Sequence, residues 1–179
     1  MRIPKKISGL LEDPHEETRE KIRHFQKTLV HLHFEGKASR GKNMRQAREA
    51  LGFFNREVSG HMDQEEKILF PFLETHLPRL GPFLSVLRAE HRDFKKKLRH
   101  FEFCLDKFAE DEGGRPGKIM ERLKETGTYL IYLLQNHLRE ETEVLYKIAD
   151  RELRREEKSR LINRIRVLRP HNDRFKKVL

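Results

Sequence analysis

The chain has 179 residues, 36% apolar and 38% charged, with one cysteine, no tryptophan and a formal net charge of +10. These numbers fit one ordinary domain with an economical core and an ionic surface, and the prominence of Leu, Glu, Lys and Arg favours helix over strand. No run approaches the roughly 18 uncharged apolar residues that a membrane span needs, and Cys104 has no partner for an internal disulfide.

Breakers divide the chain. Asp13-Pro14 reads as the cap and first residue of a helix over about 14–34, with a start one turn earlier as the alternative. Gly36 to Asn43 reads as a polar loop, Leu77 to Pro82 as a second break and Asp111 to Gly117 as a third. Helices are predicted over about 43–76, 82–110 and 117–149, and a fifth over about 151–169, ending before Pro170. Residues 1–149 then form one helical domain and 150–179 a basic C-terminal extension, where eleven Lys/Arg stand against five Asp/Glu. The opening residues Met1 to Lys6 lack an apolar stretch of signal-peptide type, and with the lone cysteine they point to the cytoplasm.

Each long segment carries one apolar stripe at three-four spacing. In chain order the stripes run through His15, Thr18, Ile22, Phe25, Leu29 and Leu32, then through Met44, Ala47, Leu51, Phe54, Val58, His61, Glu65 and Ile68. The third takes His91, Phe94, Leu98, Phe101, Leu105 and Phe108, and the fourth Met120, Leu123, Gly127, Leu130, Leu134, His137, Glu141 and Val144. Four such stripes predict an all-α, antiparallel up-down four-helix bundle with a C-terminal extra helix. Histidines and glutamates inside them call for a partner, because a buried polar group is costly alone.

The chain also repeats. His15 to Phe25 aligns with His91 to Phe101 at an offset of 76, and the same offset carries His61-Met-Asp-Gln-Glu65 onto His137-Leu-Arg-Glu-Glu141. Residues four apart share a helix face, so each pair presents an imidazole and a carboxylate to one point. His15 lies about 20 residues before the end of its helix, roughly 30 Å, and His61 about 18 residues into the next, roughly 27 Å. His91 and His137 are level in the same way, so all four histidines reach one layer. Four imidazoles and two carboxylates exceed one tetrahedral zinc and suit a dinuclear site. His15 with His61 and His91 with His137 would each hold one ion, and Glu65 and Glu141 would bridge them. Mixed nitrogen and oxygen donors without thiolate favour two iron ions, with manganese or zinc as alternatives.

At these residues the sequence resembles the hemerythrin-like, or HHE cation-binding, family over about 10–149. The segment His61-Met-Asp-Gln-Glu65-Glu-Lys-Ile-Leu-Phe-Pro-Phe is similar to that family's second-helix motif, Ala89-Glu90-His91 to its third and His137-Leu-Arg-Glu-Glu141 to its fourth. The resemblance implies an up-down bundle with a carboxylate-bridged, non-haem di-iron centre. Oxygen-carrying members have a further histidine one turn after the third-helix ligand, where this chain has Lys95. The four-His, two-Glu set looks more like members linked to repair of iron centres or to iron sensing.

The function expected is binding or reduction of a small oxidant, O₂, NO or peroxide. The rivals are iron holding and donation for repair, and a regulatory protein that senses iron or oxygen. The positive C-terminal helix, with Leu153, Leu161, Ile165 and Leu168 on one stripe, is expected to pack on the bundle or on a second subunit. Nucleic acid stands behind these as a partner, since no recognition motif supports it. His24, His31, His33, His76 and His100 fail the ligand face by angle or distance, and Tyr129, Tyr132 and Tyr146 read as packing residues.

Overall fold

A computed structural model of the chain describes residues 6–34, 37–110 and 117–167. The fold is all-helical, with no strand among the described residues. Helix α1 is Ser8–Phe34. Helix α2 runs over 37–76, with π turns at Phe54–Val58 and Glu65–Leu69 inside it. A 3₁₀ turn, Pro78–Leu80, leads into α3, Gly81–Glu110. Helix α4 runs over 117–152 with a π turn at Glu141–Leu145, and α5 is Arg155–Val167.

Three boundaries differ from the sequence expectation. Helix α1 starts at Ser8 and contains Pro14. Its cap comes from across the fold: the Asp150 carboxylate accepts from the backbone N–H of Ile7 at 2.7 Å and of Ser8 at 3.2 Å, and from the Ser8 hydroxyl at 2.7 Å. A carboxylate at this end satisfies orphan donors and favours the helix dipole. Helix α2 begins at Lys37, not Asn43, so most of the expected polar loop is helix. Arg40 anchors this first turn, its guanidinium 4.1 Å from the centre of the Phe108 ring. Helix α4 outlasts its expected end by three residues, and Leu153 breaks it in an extended conformation (φ −68°, ψ 137°). Glu157 then accepts from the Arg154 backbone N–H at 2.7 Å, half of a capping box for α5. Most of the Asp111–Gly117 break and Leu168 lie outside the described residues.

The predicted stripes of α1, α2 and α3 are buried except for His61, which is partly exposed. Helix α4 follows its own through Glu141 and then departs from it. Val144 is 39% exposed, while Leu145 and Tyr146 are fully buried. The cause is the π turn, where the Tyr146 N–H bonds back to the Glu141 carbonyl, five residues earlier. One extra residue in the turn advances the core-facing register by one, so Leu145 takes the place that α-helical spacing assigns to Val144, and Tyr146 follows it into the core.

The side chains form two apolar clusters. One joins α1 to α4 through Phe25, Phe54, Phe94, Phe101, Leu130 and their neighbours. Phe25 meets Phe54 and Phe101 edge-on at 5.4 and 5.2 Å. Each buried ring contributes on the order of 1.5–3 kcal/mol. Gly127 permits this closeness, since a Cβ there would lie 2.5 Å from Leu29. The other cluster gathers Ile7, Leu69, Phe70, Leu84, Leu145 and Tyr146 with Leu161, Ile162 and Ile165 of α5. The fifth helix therefore closes one end of the core. Among the described residues, no helix is long and apolar enough to cross a membrane.

Candidate metal centre

Between the two apolar clusters lies a polar layer. His15 on α1, Glu65 on α2, His91 on α3 and both His137 and Glu141 on α4 are buried, each no more than 2% exposed. His61 on α2 is 13% exposed and completes the group from its edge. The structure thus brings all six sequence-predicted ligand residues into one layer. His15 Nε2 lies 3.0 Å from His61 Nε2, and His91 Nε2 lies 3.1 Å from His137 Nε2.

The carboxylates connect the two histidine pairs. Glu65 places Oε1 3.5 Å from His61 Nε2 and Oε2 3.7 Å from His91 Nε2. Glu141 places Oε2 3.2 Å from His15 Nε2 and Oε1 2.9 Å from His137 Nε2. Ligand atoms of Glu65, His91, His137 and Glu141 all lie within 4.8 Å of one another, as do those of His15, His61 and Glu141. Glu65 Oε2 and Glu141 Oε1 are buried without a hydrogen-bond donor. Orphaned carboxylate oxygens beside inward-facing imidazole nitrogens are a donor set that a metal cation completes. The residues fit such an ion.

The outer ring nitrogens are held by a second set of residues. His91 Nδ1 lies 2.8 Å from Glu66, and His137 Nδ1 lies 2.8 Å from Glu90. An ionised carboxylate only accepts, so these contacts put the proton on Nδ1 and aim the Nε2 lone pair inward. His15 Nδ1 meets the Thr142 hydroxyl at 3.1 Å, and Arg19 donates to the same oxygen at 3.2 Å.

Without a metal, the layer's charges adjust to burial. Burial, and then the charge on Glu141, push the Glu65 carboxyl well above its usual range. Burial also opposes charge on Glu141, but the charge of the His137 imidazole beside it holds it well below that range. Burial works against a proton on His137 too; the Glu141 charge outweighs it and raises that imidazole well above its ordinary value.

Glu66, Glu90, Thr142 and Tyr146 are the site residues that sequence reasoning missed. Glu66 and Glu90 adjoin ligands within the quoted motifs, a signal that could have found them. Tyr146 donates to Glu65 Oε1 at 2.8 Å inside the layer, whereas Tyr129 and Tyr132 are exposed. Burial, with the charges of Glu141 and Glu65, raises the Tyr146 phenol well above its ordinary value. His24, His31, His33 and His100 are exposed, and His76 stacks on Phe72 at 4.0 Å. Lys95 pairs with Asp63 at 2.6 Å.

Comparison with known families finds one model, described as the hemerythrin HHE cation binding domain, that matches residues 6–149. Among curated proteins, none matches the chain. The matched span covers most of the sequence and contains all six residues of the buried histidine and glutamate layer. The chain belongs to the hemerythrin HHE cation-binding domain family.

Proposed function

We propose that the four long helices form an antiparallel up-down bundle around two iron ions, one held by His15 and His61 and the other by His91 and His137. Glu65 and Glu141 bridge them. The observation that carries this assignment is the division of each carboxylate, which turns one oxygen to each histidine pair. Six nitrogen and oxygen donors without thiolate suit iron, with manganese or zinc as alternatives. Residues 1–149 are then the metal-binding part of a cytoplasmic protein, and the basic segment from 150 shares its core through Asp150 and α5.

The ions would supply redox equivalents and open coordination positions. The protein's part is to hold the imidazoles by their outer nitrogens and to shape access. With five of the six ligand residues almost fully buried and His61 at the edge, only a molecule the size of O₂, NO or peroxide is expected to enter. Binding or reduction of such an oxidant is the function these features support best.

Metal analysis and absorption spectroscopy of aerobically purified protein test it. Close to two irons per chain, with near-ultraviolet absorption of an oxo-bridged diferric pair, is the expected result. One tightly held zinc per chain, with no iron taken up on anaerobic reconstitution, would overturn it.

A further inference from the structure

Tyr146 follows Glu141 by five residues and Phe70 follows Glu65 by five, so the two rings are counterparts in the repeat. In an unbroken α-helix, residues five apart point about 140° away from each other. The π turns reduce that divergence to about 40°, the angle between residues four apart in an α-helix, and bring each ring to a ligand histidine. Tyr146 lies 5.4 Å from His15 and Phe70 lies 5.5 Å from His91, ring centre to ring centre. Both rings are fully buried, and only Tyr146 carries an oxygen.

That oxygen faces the position between His15 and His61. It lies 2.8 Å from Glu65 Oε1, 3.2 Å from His15 Nε2 and 3.5 Å from Glu141 Oε2. Adjacent donors of a six-coordinate ion with bonds of about 2.1 Å stand about 3 Å apart. The phenol oxygen therefore has the spacing of one more corner of the same shell.

Charge points the same way. His91 and His137 are each backed by a carboxylate, from Glu66 and Glu90. His15 is backed by Thr142, the counterpart of Glu66, and Arg19 sits on the same hydroxyl. At His15 the outer nitrogen thus meets a neutral hydroxyl where its counterpart His91 meets a carboxylate, and a phenolate oxygen supplies one negative charge beside it.

We propose that Tyr146 is a protein ligand of the ion held by His15 and His61, so that the two positions differ: five donors at one, four at the other. The assignment rests on the two-iron centre proposed above. As it bonds, the Tyr146 oxygen releases its proton to solvent and keeps the electron pair of its O–H bond. No oxidation state changes in that step.

The test uses the full chain loaded anaerobically with ferrous iron, oxidised in air, and measured for iron content, visible absorption and resonance Raman scattering. A phenolate-to-iron charge-transfer band with tyrosinate ring vibrations is expected, lost per bound iron in Tyr146→Phe. The same band should survive in the double variant Tyr129→Phe/Tyr132→Phe. The chain has three tyrosines, so a band surviving there comes from Tyr146 even if Tyr146→Phe does not fold. Two bound irons with no such band, or a band that persists in Tyr146→Phe, overturns the assignment. Failure to take up iron at all defeats the two-iron centre and this ligand with it.

Discussion

Glu65 and Glu141 stand at the same place in the two halves of the chain, each the first residue of a π turn and each with one oxygen toward either histidine pair. The backbone carbonyl of each accepts from the residue five ahead, Phe70 or Tyr146. π turns occur often at functional sites, and here the extra residue sits where the metal layer gives way to the second apolar cluster. Because Glu141 touches both pairs, Glu141→Ala should disturb both positions together. Bound iron should fall from two per chain to below one by elemental analysis; full retention would contradict bridging.

The histidines divide into two classes with opposite expectations. His61→Ala and His137→Ala should each lose at least one iron, since each removes a nitrogen aimed into the layer. His24→Ala and His100→Ala should keep both irons, because those side chains face solvent. Equal losses in the two classes, measured on folded protein, would mean that the ligand face is misplaced.

Glu90 tests the outer support of the centre. It holds His137 Nδ1 at 2.8 Å without itself reaching the inner nitrogens. Removing such a support weakens metal binding by about 10–100-fold in comparable sites. Glu90→Ala should show a loss of that size in a competition titration with a chelator, while circular dichroism stays that of a folded helical protein.

Metal binding should release protons. In the metal-free protein the Glu65 carboxyl and the His137 imidazole are both raised well above their ordinary values, which favours their protonated forms. A metal must displace those protons, and its apparent affinity should fall as pH falls. Titration calorimetry in buffers of different ionisation enthalpy should register that release. Stability without metal has its own pH dependence. The raised His137 contributes fully below its unfolded pKa, and that contribution is lost as pH rises through the higher folded value. Metal-free protein should therefore lose stability on the alkaline side while metal-loaded protein does not.

Leu161 on α5 is fully buried against the second apolar cluster. Leu161→Ala should cost about 2–5 kcal/mol in denaturant unfolding, the range for a large-to-small core change. A change near zero would show that α5 only rests on the surface.

From the sequence alone came the helical class, the twofold repeat and the six histidine and glutamate residues that gather in one layer. Each is written locally: apolar spacing follows the α-helical period, and an imidazole and a carboxylate four residues apart share a face in any helix. Tertiary structure decided what depends on contact between distant segments. Asp150 caps a helix that begins 142 residues before it, and Glu66 and Glu90 turn histidines on neighbouring helices. Tyr146 reaches the layer through a π turn, which adds a residue that a 3.6-residue period does not contain, and so the sequence stripe carries Val144 where the structure buries Leu145 and Tyr146. The basic fifth helix read equally well as bundle or subunit contact; its buried Leu161, Ile162 and Ile165 place it on the core, because amphipathic spacing shows that a face must be covered and not what covers it.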